Sequence, residues 1–251
     1  MKKTESDQLE FIVPLKDLLE AGCHFGHQAK RWNPKMSPYL YTIRDGVHIF
    51  DLAQTSKLLA DACKAGKQLV AEGGTIVFVG TKRQSQAIVK EEAQKVGAGF
   101  ITTRWLGGLV SNWSQIDKSI GKLIDMRQKK EAGEYKKYTK KENLLLDREI
   151  ARLDRFFGGL IGLKKIPDAL FIVDSHRELT AIREARPAGV KIFAITDSNA
   201  DPVVVDYPIP ANDDAVRSIT LIVSTFAKAV AQGMVLREKS KVKITNENKS
   251  N

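Results

Sequence analysis

Apolar positions in this chain follow two alternating patterns. Continuous runs at residues 75–79 (TIVFV) and 169–173 (ALFIV) suit strands buried on both faces of a parallel sheet. Shorter runs at 100–102, 191–195 and 203–205 read as further strands. Between them the apolar period lengthens. Leu58, Leu59, Ala62, Ala65, Leu69 and Val70 recur at helical spacing and predict a helix over 53–71, ended by Gly73-Gly74. Helices are also predicted over 13–21, 84–96, 175–185 and 212–237, and a small β-hairpin over 39–50 around Arg44-Asp45-Gly46. Strands separated by helices imply right-handed crossovers, hence a three-layer, doubly wound α/β sandwich.

One stretch interrupts this alternation. Residues 104–160 open with Arg104-Trp105-Leu106-Gly107-Gly108 and close with Phe156-Phe157-Gly158-Gly159-Leu160. Between these brackets run two helical stripes, Leu109, Trp113, Ile116, Ile120 and Leu123, then Leu146, Ile150, Leu153, Phe157 and Leu160. The Lys-rich link over 129–141 has no apolar period, so the pattern predicts an antiparallel coiled-coil helical hairpin. The expected division is therefore residues 1–104 and 160–237 as one discontinuous α/β domain, 105–159 as an inserted hairpin, and 238–251 as a flexible basic tail. A first helix of about 20 residues would carry the link about 30 Å from the sheet.

Composition adds a polarity to this plan. Across 251 residues, 40 Lys and Arg outnumber 30 Asp and Glu, giving +10 and a pI near 9.5, which favours an anionic partner. By segment the net charge is +4 over 1–104, +6 over 105–165, −5 over 166–215 and +5 over 216–251. The hairpin is thus basic for its length, and the acidic 167–214 segment is expected to face solvent or a protein. Cys23 and Cys63 are the only cysteines; they build no disulfide framework and suit a reducing compartment. Met1 to Asp7 lacks the apolar core of a signal peptide, no membrane span is evident, and a soluble cytoplasmic protein is expected.

Loops at the carboxyl ends of the strands are where an α/β sheet holds ligands. Gly80-Thr81-Lys82-Arg83 joins a strand to a helix and suits a phosphate, but lacks the glycine spacing of a dinucleotide or Walker loop. Asp174-Ser175-His176 is read as a helix cap, with Glu178 reaching back, rather than a hydrolytic triad. The 196–202 loop is read as turn chemistry. Cys23, His24 and His27 are weak candidate metal ligands; no fourth ligand has suitable spacing, so no metal and no cofactor are expected.

Several motifs, in order along the chain, carry a resemblance. They are Leu18-Leu19-Glu20-Ala21-Gly22-Cys23-His24-Phe25-Gly26-His27-Gln28 with Arg31-Trp32-Asn33-Pro34-Lys35-Met36, then Phe78-Val79-Gly80-Thr81-Lys82-Arg83 and Arg104-Trp105-Leu106-Gly107-Gly108. Leu170-Phe171-Ile172-Val173-Asp174, Asp197-Ser198-Asn199-Ala200-Asp201-Pro202 and Ile209-Pro210-Ala211-Asn212-Asp213-Asp214-Ala215 follow. Over about residues 10–235 the chain resembles the bacterial small-subunit ribosomal protein two family. Cys23 departs from it, standing where an aliphatic residue is common.

The resemblance implies a flavodoxin-like domain with a coiled-coil insertion and no enzymatic role. It further implies a ribosomal component, in cytoplasm or an organelle, that binds small-subunit ribosomal RNA and helps dock ribosomal protein one. Phosphate contacts are expected from Lys30, Arg31, Lys35, Lys82, Arg83 and Arg104 and from Lys129, Lys130, Lys136, Lys137, Lys140 and Lys141, with Trp32 and Trp105 stacking or packing. The alternatives are a nucleotide-binding Rossmann-like enzyme and a coiled-coil adaptor.

Overall fold

The computed structural model describes residues 11–247. Helix α1 (Leu15–Glu20) leads into a small antiparallel sheet of β1 (Phe25–Gln28), β2 (Leu40–Arg44) and β3 (Val47–Phe50), in the order β1-β3-β2. The β2–β3 turn is Asp45-Gly46, with φ of 52° and 77°; positive φ at both central residues matches the twist of the flanking strands. Strand β1 has no apolar run to announce it. It forms because Phe25 and Gln28 pair with Ile49 and Val47 of β3.

The chain continues through α2 (Leu52–Ala71), β4 (Ile76–Val79), α3 (Gln86–Lys95), β5 (Gly99–Ile101), α4 (Trp113–Glu131) and α5 (Lys140–Phe157). It closes with β6 (Ala169–Val173), α6 (Leu179–Ala185), β7 (Lys191–Thr196), β8 (Tyr207–Pro210) and α7 (Val216–Glu247). Strands β4 to β8 make one parallel sheet, ordered β5-β4-β6-β7-β8. That is the flavodoxin-like order, with its switch point between β4 and β6.

Register explains the core. Phe100, Phe78, Phe171, Phe193 and Tyr207 lie side by side across the five strands. Phe226 of α7 rests on this aromatic band, 4.3 Å from the Phe171 ring centroid and 5.1 Å from that of Phe193. Helices α2 and α7 cover the same face and touch closely at two glycines. A Cβ on Gly66 would meet the Phe226 ring at 2.8 Å, and one on Gly233 would meet the Lys67 carbonyl oxygen at 2.5 Å. Residues Val216–Ser240 are long and apolar enough to cross a membrane by composition. Ile219, Ile222, Val223, Phe226 and Val230 are buried in the core, which accounts for that apolarity.

The opposite face, with Val77, Val79, Leu170 and Ile172, is covered by α6 and by the start of the insertion. Trp105, Leu106, Leu109, Val110, Ile116 and Ile120 all belong to this second core. The stretch from Trp105 to Ile120 is therefore part of this layer of the domain. Helix α4 has 19 residues, close to the expected length of about 20. Further out, Leu123, Met126 and Leu153 are buried together, with Leu146, Ile150 and Phe157 packed on them. Lys122–Glu149, Lys130–Asp147 and Arg127–Asp154 ion pairs also join α4 to α5.

Some expected boundaries move. Residues 202–204 form a 3₁₀ turn and the fifth strand is β8 instead, because Asp201 caps a turn begun by Pro202. The helix expected from 175 starts at Leu179, after the Asp174 turn. The expected tail over 238–251 is helical as far as Glu247, and its last four residues lie outside the described residues.

Candidate nucleic-acid interface

The carboxyl ends of β4, β6 and β7 meet β1 and the loop entering α7 in one charged cluster. Lys82 follows β4, and its ammonium lies 2.6 Å from Asp213, 2.5 Å from Asp214 and 3.5 Å from Asp174. Burial works to lower the Lys82 pKa, but Asp213, Asp214 and Asp174 outweigh it and hold the ammonium well above its usual value. His27 reaches the cluster from the other side, with Nδ1 2.9 Å from Asp197 and Nε2 3.6 Å from Asp214. The Asp197 hydrogen bond raises the His27 pKa against the opposing effect of burial. Asp213 is buried beside Asp197 and Asp174, and burial together with these like charges pushes its carboxyl up to about 7.

This cluster fills the switch-point crevice where a flavodoxin-like sheet would seat a nucleotide. Thr81 donates to Glu178, which reaches across to β4 rather than back to its own helix, and Arg177 Nε donates to the same hydroxyl at 3.0 Å. Asp174, at φ 70°, caps the turn by accepting from the Arg177 amide at 2.8 Å. His27, Asp197 and Asp213 each offer one ligand atom, all within 4.8 Å of one another, the set among the described residues suited to a cation. Cys23 and His24, grouped with His27 on sequence, go elsewhere. Cys23 is a core residue, as its aliphatic-type position implies, and His24 packs on the Phe25 ring at 3.9 Å.

The expected phosphate ligands divide into two groups. Lys35 is paired with Asp201 at 2.5 Å and Lys82 with three aspartates, while Lys129 and Lys130 are paired with Asp125 and Asp147. Lys30, Arg31, Arg83, Arg104, Lys136, Lys137, Lys140 and Lys141 are exposed. Arg104 lies over the Phe156 ring at 5.2 Å and Lys137 near that of Tyr138 at 5.7 Å. Trp32 is 37% exposed beside His48, so its ring edge is accessible. Trp105 is buried, and its Nε1 donates to Glu184 at 2.8 Å, making it a packing residue.

Glu184 is a residue the sequence did not single out. Besides Trp105, its carboxylate accepts from the Val110 and Ser111 amides and the Ser111 hydroxyl, at 2.9–3.0 Å. One side chain of α6 thus ties down the root of the insertion. Burial opposes ionisation, but these donors hold the carboxyl below the usual range. Three carboxylates of the acidic 167–214 segment are paired within the chain, Asp197, Asp201 and Asp213 with His27, Lys35 and Lys82, while Asp206 and Asp214 are exposed.

The fold and this charge layout can be set beside known proteins. A family model described as Ribosomal protein S2 matches residues 18–233. Small ribosomal subunit protein uS2 of Sorangium cellulosum is 48% identical over 229 residues, covering 91% of this chain and 82% of that protein. The uS2 of Synechocystis is 47% identical over 222 residues, covering 88% and 82%. The uS2c of Rhodomonas salina is 46% identical over 222 residues, covering 88% and 91%. With most of its length matched, the chain belongs to the ribosomal protein S2 family, whose members are structural and non-enzymatic.

Proposed function

We propose that this protein is a structural constituent of the small ribosomal subunit that binds ribosomal RNA through its exposed, unpaired cations. The observation that carries this is the division of charge. Lys82 is enclosed among aspartates and Lys35 is ion-paired at the surface, whereas Lys30, Arg31, Arg83, Arg104 and the Lys136, Lys137, Lys140 and Lys141 group face outward with no ion pair among the described residues. Cations without an ion-pair partner gain most from phosphate contact, since each contact releases counterion. The relatives' names, small ribosomal subunit protein uS2 and uS2c, support a place in that particle in bacteria or plastids.

The α4–α5 pair is read as a coiled-coil arm over its outer part, on the strength of the Leu123, Met126 and Leu153 cluster and three ion pairs. Docking of ribosomal protein one is assigned to the small sheet, where Phe25, Tyr41 and Ile43 stand exposed. Co-sedimentation of tagged protein with small subunits across a salt series tests the reading. Association should be firm at low salt and fall steeply as salt rises. Absence from the subunit fraction at low salt would contradict it.

A further inference from the structure

On the outer side of α5, two leucines point into solvent. Leu144 is 51% exposed and Leu145 is 56% exposed. Their neighbour Leu146 turns inward to pack with Leu123, Met126 and Leu153. The outward pair therefore adds nothing to the arm's own core. One turn before it lies Lys141 and one turn after it Arg148, three and four residues away, so the four side chains share one helix face. Nearby acids are already engaged: Glu142 in the capping box with Thr139, Asp147 with Lys130, and Glu149 with Lys122 and Arg152. Among the described residues, Lys141 and Arg148 have no ion-pair partner.

We infer that this face of α5 docks a second protein of the particle, one presenting an apolar side chain framed by carboxylates. Aliphatic side chains lose water usefully only against apolar surface, which a protein offers more readily than an RNA backbone. Arg148, the framing cation that is not among those assigned to phosphate, then selects an acidic rim by charge complementarity. The inference rests on membership of the small subunit and adds a contact within it.

The test places a photoreactive residue in the full chain, as Leu145→p-benzoylphenylalanine, and irradiates purified small subunits containing it. The expected product is an adduct that survives ribonuclease and joins this chain to a subunit protein at a segment bearing Asp or Glu. An RNA adduct, or no adduct although the chain co-sediments, overturns the inference while leaving subunit membership intact. Failure of the wild-type chain to co-sediment would remove both. A Leu144→Ser, Leu145→Ser variant supplies a second readout. Because no charge is changed, subunit affinity should drop roughly tenfold with the salt slope unchanged; unchanged affinity would also overturn the inference.

Discussion

Two clusters of charge in this molecule look alike in sequence and behave oppositely in structure. At the strand ends, Lys82 and His27 sit among Asp174, Asp197 and Asp213, largely shielded from water, with the exposed Asp214 at the rim. Between α4 and α5, Lys136, Lys137, Lys140 and Lys141 stand exposed on a 3₁₀ turn and the first turn of α5. A lysine among buried carboxylates is part of the fold, because removing it leaves charge stranded in low dielectric. A lysine in water contributes little to stability and keeps its charge available to a polyanion. The two regions show that counting cations along a chain does not locate a binding surface; the fate of each charge does.

The largest expected effect breaks the strand-end cluster. Lys82→Met should cost about 3–5 kcal/mol in urea unfolding, since it leaves Asp213 and Asp174 without their cation. Lys141→Met should stay within about 0.5 kcal/mol. Equal losses at the two positions would erase the contrast. Next comes Glu184→Ala, which strips four donors of their acceptor at the insertion's root. A cost of about 2–3 kcal/mol is expected, together with faster proteolytic cleavage within residues 105–112.

The smallest effect is in pH dependence. Asp213 is raised to about 7 in the folded state, above its unfolded value near 4. Its contribution is therefore fully present below about pH 4 and is lost as pH rises through about 7. Relative to Asp213→Asn, the wild type should lose on the order of 1–2 kcal/mol between pH 6 and pH 8 in urea titrations. Glu184 has the opposite sign: its depressed pKa gives stability present above about pH 4.3 and lost as pH falls through the folded value. A Glu184→Gln chain should accordingly lose less stability than wild type on acidification.

Much of the framework was legible in the sequence because buried parallel strands write themselves as apolar runs. TIVFV and ALFIV became β4 and β6 at the centre of the sheet. Strand β1 was not legible, since its four residues FGHQ are held by pairing to β3 rather than by any pattern of their own. The depth of the insertion was hidden for a related reason. The stripe Leu109, Ile116, Ile120 and Leu123 is continuous in sequence, yet the first three pack under the sheet and Leu123 packs in the arm. Periodicity shows which face of a helix is apolar, not what covers it.

The candidate site divides in the same way. His27 and Lys82 stand out as residue types, but their partners lie far along the chain, and only the sheet topology brings β1, β4 and the α7 entry together. Glu184 carries no signal at all in the sequence, being one glutamate in a short helix whose role comes from the chain segment opposite.

The central claim is that phosphate is met by the exposed cations and not by those enclosed at the strand ends. Its most direct measurement is the salt dependence of small-subunit association for Lys136→Glu, Lys137→Glu, Lys140→Glu, Lys141→Glu combined in one chain, compared with wild type. The account predicts a weaker complex at low salt and a slope of log affinity against log salt shallower by roughly 2–3, about 0.7 for each phosphate contact removed from single-stranded RNA. A slope and affinity indistinguishable from wild type would contradict it.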